Sequence, residues 1–485
     1  MANLKSLARD TAIYGLSSIV GRFLNYWLVP LYTRYMPAES GDYGVSTNMY
    51  AYTALILVLL TFGMETTLFR YANDRDEQPD TVFSTGFALI GALTALFLLI
   101  IFGFITPISD ALGYGAHPEY LLMMASVVAM DALQALPFSY LRFQKRPIRF
   151  ATLKLLFIFL NIGLNVLYFV VLHKTSVFYV FFINLLCTGI ISLLFVPQLF
   201  RIRWHFDGRL LRRMVAYSWP ILVLGVAGIL NQVADKILFP LVYPVKADAN
   251  VLLGIYGACV KIAMIMSMIT QAFRYAYEPI VFAISRDGDQ KEYYAQAMKY
   301  FLIFTFLAFL AVEAYMPLLQ RIIGEDYREG MRVVPIVMAA EIMMGVYFNL
   351  SFWYKLIDRT IYGALFSLAG CIVLFAVNIL FIPRYGYMAC AWGGFAGYLT
   401  AMLLSYIVGQ KYYPIAYPLK SMVVYVAIAA LFSVLMMLGR EHLPVWASII
   451  LNTAILGAFA AHIVHHDLPL EKLPVVRNYI KKKKN

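Results

Sequence analysis

Apolar runs of about 20 residues recur from one end of the chain to the other, and each is long enough to cross a bilayer as a helix. Of the 485 residues, 62% are hydrophobic and 14% are charged, whereas soluble domains contain roughly a quarter charged residues. A soluble fold is therefore excluded. A membrane β-barrel is also excluded, because the runs are continuous and lack the alternation of barrel strands. The sequence predicts an all-α polytopic membrane protein.

Fourteen transmembrane helices are predicted from where the apolar runs begin and end. They lie near residues 11–33, 44–69, 82–106, 119–141, 151–172, 177–198, 214–242, 251–284, 295–316, 333–354, 360–382, 386–409, 417–438 and 445–464.

The basic residues between these spans predict the orientation of the chain. With the amino terminus in the cytoplasm, 25 lysine and arginine residues fall on the inside and 8 on the outside. Because basic residues are enriched in cytoplasmic loops, both termini are predicted to be cytoplasmic. The net charge of +12 is explained by this placement and does not indicate nucleic acid as a partner. The tail at 481–484 is interpreted as an anchor near anionic lipid.

An internal repeat relates the two halves at an offset of about 213 residues. The matches are Tyr43-Gly44 with Tyr256-Gly257, Glu65 with Glu278, Asp131 with Glu341, and 165–168 with 378–381. Because six helices separate the copies, both halves share one polarity, as in transporters built from parallel repeats. We predict two six-helix lobes, 1–205 and 206–412, followed by two further helices and a basic tail in 413–485.

Acidic and basic residues lie inside the predicted spans, where each costs roughly 2.5 to 3.5 kcal/mol at the centre of a helix. They include Arg22, Glu65, Asp131, Asp235, Lys236, Lys261, Arg274, Glu278, Glu313 and Glu341. At helical spacing, several share polar stripes with neutral residues such as Asn25 and Gln271. These stripes predict a water-filled cavity between the lobes.

A group of cations, namely Arg22, Lys236 and Lys261 with Lys154 near the start of the fifth span, outnumbers the carboxylates predicted at comparable depth, and this local excess favours an anionic ligand. The predicted substrate-binding residues are Arg22, Lys236, Lys261, Arg274, Lys154, Asn25 and Gln271. Arginine suits bidentate recognition of phosphate; Lys154 is alternatively a lysine that snorkels to the interface. Glu65, Asp131, Asp235, Glu278 and Glu341 are predicted either to couple ion movement or to form ion pairs between lobes. Local pairing of the carboxylates with Arg70, Lys261 or Arg274 is the alternative.

The sequence contains no arrangement of catalytic residues. The four cysteines lie inside apolar stretches, which provides no disulfide framework and no metal-ligand spacing. There is no glycine-rich nucleotide loop. We therefore expect neither an enzyme nor a bound cofactor or metal.

Four stretches carry a resemblance to a known family. They are "YGLSSIVGRFLNYWLVPLYTRYMPAESGDYGV" from residue 14, "FGMETTLFRYANDRD" from 62, "NQVADKILFP" from 231 and "NILFIPRYGYMACAWGGFAGYLTAMLLSY" from 378. The sequence resembles the polysaccharide-transporter branch of the MOP exporter superfamily, the Wzx-type flippases. In this resemblance Arg22 lies in the first-helix stretch, and Asp235 and Lys236 form the acidic-basic pair of the seventh helix.

The resemblance implies translocation of an undecaprenyl-pyrophosphate-linked oligosaccharide to the outer leaflet of the bacterial inner membrane, for O-antigen or capsule assembly. It also implies alternating access through a cationic cavity, with a polysaccharide polymerase or chain-length regulator as further partners. One alternative is an ion-coupled multidrug exporter of the same fold, although Arg22 stands where such exporters usually have acids. Another is a membrane-embedded polysaccharide polymerase, which the absence of a large outside loop disfavours.

Overall fold

The computed structural model describes residues 28–284, 291–357 and 359–467, and between 275 and 284 it describes the side chain of Tyr277 alone. These ranges are helical and contain no β-strand. The helices are α1 Leu28–Tyr35, α2 Asp42–Thr61, α3 Met64–Ala72, α4 Pro79–Gly103, α5 Ile105–Ala111, α6 Pro118–Phe143, α7 Pro147–Val166, α8 Val177–Leu199, α9 Gly208–Val242, α10 Lys246–Ile284, α11 Lys291–Ala314, α12 Met316–Leu319, α13 Val334–Leu350, α14 Phe352–Leu356, α15 Ile361–Tyr385, α16 Tyr387–Tyr412, α17 Leu419–His442 and α18 Val445–His466.

Thirteen helical stretches among the described residues are long and apolar enough to cross a membrane. They coincide with the second to the fourteenth predicted spans. The first predicted span, 11–33, lies outside the described residues except for its end, which forms part of α1. The prediction of an all-α polytopic membrane protein is confirmed.

The predicted span 44–69 is divided into two helices. Phe62 and Gly63 both adopt left-handed backbone conformations, with φ of 50° and 68°. Left-handed residues end a helix, and glycine adopts this conformation without steric cost. A Cβ atom at Gly63 would also lie 3.1 Å from the side chain of Ile221. The break places Glu65 in the first turn of α3.

The described chain forms two compact units. Unit one contains the residues up to Ala258, together with Gly324–Glu329 and Leu374–Gly393. Unit two contains Cys259–Ile323, Gly330–Val373 and the residues from Gly394 onward. The predicted lobe boundaries near 205 and 412 stay a prediction.

Within unit one, α2 approaches the first turns of α10 very closely. A Cβ atom on Gly44 would lie 1.7 Å from the carbonyl oxygen of Asn250, and one on Gly257 would lie 2.6 Å from the Thr47 hydroxyl. Small residues let helix backbones meet in this way in membrane proteins. The Tyr-Gly pairs identified as a repeat are therefore packing positions.

Helices α8 and α9 begin at side-chain caps. The Asp207 carboxylate accepts hydrogen bonds from the backbone N–H groups of Arg209 at 2.8 Å and Leu210 at 3.2 Å. These bonds satisfy two donors at the start of α9 and lower the pKa of Asp207. At the start of α8, Asp42 accepts from Val177 N–H at 2.9 Å. The start of α8 coincides with the predicted span 177–198, whereas α9 begins six residues before the predicted span 214–242.

The two asparagines matched by the repeat are both completely buried. Asn165 accepts a hydrogen bond from the Tyr32 hydroxyl at 2.8 Å and donates to the Asn161 carbonyl at 2.8 Å. Asn378 packs against Gly393, where an added Cβ would lie 2.4 Å from its side-chain oxygen. The matched asparagines thus have equivalent burial but different partners.

Candidate functional site

Some of the predicted site residues lie outside the part of the chain that the structure describes. Arg22 and Asn25 precede residue 28, and the side chain of Glu278 lies in the undescribed portion of α10. Their predicted roles stay predictions. Unit one contains Glu65, Asp131, Lys154, Asp235 and Lys236, and unit two contains Lys261, Gln271, Arg274 and Glu341.

The acidic-basic pair on α9 forms a compact polar cluster in unit one. Lys236 Nζ lies 3.0 Å from both carboxylate oxygens of Asp235 and donates to the Gln232 carbonyl at 3.0 Å. The Tyr256 hydroxyl donates to Asp235 Oδ2 at 2.6 Å. The Asp235 side chain is 9% exposed and that of Lys236 is 18% exposed. The Asp235 charge is thus compensated by a neighbouring cation and by a tyrosine from α10.

A second layer of hydrogen bonds fixes the backbone beneath this pair. Asn48 of α2 donates to the Lys236 carbonyl at 2.7 Å, and the Tyr114 hydroxyl donates to Asn48 Oδ1 at 2.7 Å. Sequence reasoning missed Asn48, Tyr114 and Tyr256 as partners of the pair. For Asn48 and Tyr256, a polar group within an apolar run was the available signal, whereas Tyr114 lies in the loop between the predicted spans 82–106 and 119–141.

Glu65 forms a different ion pair from the local one considered from the sequence. Its carboxylate accepts from Arg142 at 3.2 Å and from the Ser139 hydroxyl at 2.9 Å, both on α6. Arg70 instead places its guanidinium 4.2 Å from the ring centroid of Tyr217. The alternative in which Glu65 pairs locally with Arg70 is wrong, because the short helix α3 presents Glu65 to α6 and Arg70 to α9.

Lys154 lies among aromatic and acidic groups of unit one. Its ammonium is 4.0 Å from the centroid of the Phe138 ring, and it interacts electrostatically with Asp131. The face of the Phe138 ring and the Asp131 carboxylate are both groups that attract a cation. Lys154 and Asp131 are therefore one electrostatic unit, linking α7 and α6.

In unit two, Arg274 lies against an aromatic surface. Its guanidinium carbon is 4.9 Å from the centroid of the Phe348 ring on α13. The two residues line a small cavity of about 10 Å³ together with Thr270, Phe273, Tyr277, Gly345, Asn349 and Phe352. This volume is about what one water molecule needs. The cavity is therefore too small for a sugar.

Helix α10 carries three of the predicted binding residues, Arg274, Gln271 and Lys261, but Lys261 lies far from the other two. Gln271 lies one turn from Arg274 on a neighbouring face. Lys261 precedes Arg274 by 13 residues, which is about 20 Å along a helix and about 140° around it. Lys261 and Arg274 therefore cannot bind the same phosphate group, and only Arg274 has Gln271 beside it.

Unit two also contains an ion pair that the sequence did not predict. Glu313 of α11 is completely buried and accepts from Arg440 of α17 at 2.5 Å, and the Arg440 side chain is 20% exposed. Arg440 lies two residues beyond the predicted span 417–438, so the sequence placed it among the outside residues. A lone acid within an apolar run was the signal that a partner had to exist. Glu341, the remaining predicted carboxylate, is half-buried on α13.

At the end of α18, Asp467 accepts hydrogen bonds from Lys299 and Tyr425 of unit two. Burial raises the pKa of Asp467, but these donors and the Lys299 charge outweigh that effect and lower its pKa. In the described ranges, no group of three His, Cys, Asp or Glu residues could hold a metal ion. The polar groups described here form ion pairs and hydrogen bonds, and they can bind charged ligands.

Comparison with known proteins identifies relatives of this chain. A family model described as polysaccharide biosynthesis protein matches residues 39–332. No curated protein matches the chain. Among solved structures, the lipid II flippase MurJ in an inward closed conformation has a TM-score of 0.74 at 14% identity, covering 93% of this chain and 98% of that one.

Two multidrug transporters of the MATE family are also similar in fold. An inward-facing member of the MOP superfamily has a TM-score of 0.61 at 15% identity, covering 83% of this chain and 94% of that one. The MATE multidrug transporter DinF-BH has a TM-score of 0.59 at 16% identity, covering 83% of this chain and 95% of that one. The family match extends over more than half of the chain, so this protein belongs to the polysaccharide biosynthesis protein family, and its fold is similar to the folds of MurJ and the MATE transporters.

Proposed function

We propose that this protein is a flippase that moves an undecaprenyl-pyrophosphate-linked oligosaccharide from the cytoplasmic to the outer leaflet of the bacterial inner membrane. The observation that carries the proposal is the match of residues 39–332 to a polysaccharide biosynthesis family. The fold likeness to MurJ, a lipid II flippase, supports a lipid-linked glycan as the substrate class. The product supplies O-antigen or capsule assembly, beside a polymerase or chain-length regulator.

In this proposal, cations along the pathway neutralise the pyrophosphate. Arg22 and Arg274 provide bidentate donors, with Gln271 beside Arg274 and Asn25 beside Arg22. Lys261 is the alternative to Arg274, and Lys236 and Lys154 contribute positive charge. The sugar crosses in the aqueous cavity while the polyprenyl tail stays in lipid. Lobes 1–205 and 206–412 rock against each other, and both termini are cytoplasmic.

The net direction of transport is set either by consumption of the product or by an ion gradient. Glu65, Asp131, Glu278 and Glu341 are the proposed coupling groups, because intramembrane carboxylates can alternate between ionised and protonated forms. The test compares transport with and without an imposed proton or sodium gradient, in the wild type and in the Gln or Asn variants of these four residues. If neither the gradients nor the substitutions change the flux, product consumption is the driving force.

The proposal is tested in vesicles containing the purified full chain and a fluorescent undecaprenyl-pyrophosphate-linked oligosaccharide. A membrane-impermeant quencher added outside reports the fraction of label in the outer leaflet over time. We expect protein-dependent movement of the label between leaflets. If the label does not move and the same vesicles transport a cationic dye, the protein is a multidrug exporter.

Arg22→Ala provides the sharpest variant. We expect it to abolish glycan movement while the protein accumulates normally in the membrane, and Arg22→Lys to retain part of the activity if charge alone is required. Arg34→Ala, at an exposed arginine near the end of α1, is the matched control and should transport normally. Normal transport by Arg22→Ala would overturn the phosphate-binding role of Arg22.

A further inference from the structure

The turn between α6 and α7 carries a cluster of cations outside the transport residues discussed above. Lys145, Arg146 and Arg149 line an open groove of about 500 Å³. In the described part of the chain, none of the three forms an ion pair with a carboxylate. Three neighbouring positive charges without acidic partners favour an anionic occupant.

The turn holds these cations in a defined arrangement. Lys145 N–H donates to the Arg142 carbonyl at 3.1 Å, and Arg146 N–H donates to the Leu141 carbonyl at 2.9 Å. This is the bond pattern of a Schellman motif, with Lys145 in the left-handed position at φ 54°. Glycine is the usual residue there, so a lysine is conformationally costly. The motif closes the end of α6, and α7 begins immediately afterwards at Pro147.

Below the cations, α7 presents an apolar stripe to its surroundings. Ile148 is 66% exposed and Phe159 is 65% exposed. Together with Thr152, which is also exposed, they follow the spacing of one helical face. The stripe runs about 17 Å along α7 from Ile148 to Phe159, at 1.5 Å per residue. It belongs to a candidate membrane span, so this face suits a hydrocarbon chain.

We propose that this groove binds an anionic phospholipid of the cytoplasmic leaflet. The lipid phosphate contacts Lys145, Arg146 and Arg149, and an acyl chain lies along Ile148, Thr152 and Phe159. Basic pockets between transmembrane helices on the cytoplasmic side are suited to such headgroups. The apolar stripe distinguishes this occupant from a free phosphate, which would use the cations alone.

The test is native mass spectrometry of the purified full chain with phosphatidylglycerol, and with phosphatidylethanolamine as the zwitterionic comparison. We expect retention of phosphatidylglycerol by the wild type. The triple variant K145Q/R146Q/R149Q should bind it up to about a hundredfold more weakly, since each basic residue near a lipid surface contributes about 1 kcal/mol. The variant K145R/R146K/R149K should retain binding, which separates loss of charge from loss of folding.

A matched control uses three exposed cations of the loop between α8 and α9 and the first turn of α9. The variant R201Q/R203Q/R212Q removes the same charge from exposed positions and should bind phosphatidylglycerol as the wild type does. Equal retention by the K145Q/R146Q/R149Q protein, or equal retention of phosphatidylethanolamine, would overturn the proposal. Displacement of phosphatidylglycerol by inorganic phosphate, or by undecaprenyl pyrophosphate, would identify a phosphate site or a substrate site instead.

Discussion

The buried ion pair Asp235–Lys236 of unit one and the buried ion pair Glu313–Arg440 of unit two are built differently. In unit one, Asp235 and Lys236 are consecutive on α9, and Tyr256 from α10 donates a further hydrogen bond to the acid. In unit two, Glu313 and Arg440 are 127 residues apart and join α11 to α17. Glu313 is 0% exposed, and its Oε1 has no hydrogen-bond partner among the described residues.

Because of this difference, Lys236 can move away from its acid, whereas Arg440 cannot. If Lys236 turns toward an anionic ligand, Asp235 keeps the hydrogen bond from Tyr256. If Arg440 moves away, Glu313 is left as a buried charge without a donor. Removing one member of a buried pair in that way is strongly destabilising. The pair in unit one is therefore compatible with substrate binding, whereas the pair in unit two holds helices together.

The largest effect is expected for Arg440→Gln. It leaves the Glu313 carboxyl group in a fully buried site without its only donor among the described residues, and we expect a loss of about 3 to 5 kcal/mol in the free energy of unfolding. Thermal unfolding in detergent measures the effect. The double variant Glu313→Gln/Arg440→Gln should recover most of the stability, because the buried charge is gone. An Arg440→Gln protein as stable as the exposed control Arg384→Gln would contradict a structural role for the pair.

A smaller loss of stability is expected for Lys236→Gln. Asp235 retains one strong donor, so we expect about 2 kcal/mol, typical of a hydrogen bond to a charged group. We expect transport per folded molecule to be largely lost, although most of the protein remains folded. Lys236→Arg should restore transport because it restores the charge. Loss of stability as large as that of Arg440→Gln, with transport per folded molecule unchanged, would make Lys236 structural.

Tyr256→Phe sharpens the comparison further. It removes a single donor from Asp235 while Lys236 remains, so we expect about 1 to 2 kcal/mol of destabilisation. In a double-mutant cycle with Lys236→Gln, the double variant should lose more free energy of unfolding than the two single variants lose together. The reason is that the double variant removes both groups that compensate the charge of Asp235. Simple additivity would show that the tyrosine does not support Asp235 when the lysine is absent.

Much of the fold could be predicted from the sequence, and part of the charge pairing could not. Apolar runs fix the spans because the bilayer demands internally bonded helices. Pairing across distant helices depends on rotation about the helix axis. Local pairing of Glu65 with Arg70 was one alternative from the sequence, but α3 begins after the break at Phe62 and Gly63 and presents Glu65 to Arg142 of α6. Arg440 lies just beyond the predicted span 417–438, so its pairing with Glu313 could not be predicted from the sequence.

The smallest effect is expected for Glu65→Gln, which tests whether the solvent exposure of an ion pair determines how much the pair stabilises the fold. Glu65 and Arg142 are 45% and 38% exposed, so water screens their attraction. Pairs exposed to this degree contribute less than about 1 kcal/mol. We therefore expect a small decrease in the midpoint of thermal unfolding, and we expect the decrease to vanish as salt is raised, because salt screens exposed charges first. Arg142→Gln should behave in the same way. A salt-resistant loss as large as that of Arg440→Gln would show that exposure does not govern the strength of these pairs, and the distinction drawn between the two buried pairs would then fail as well.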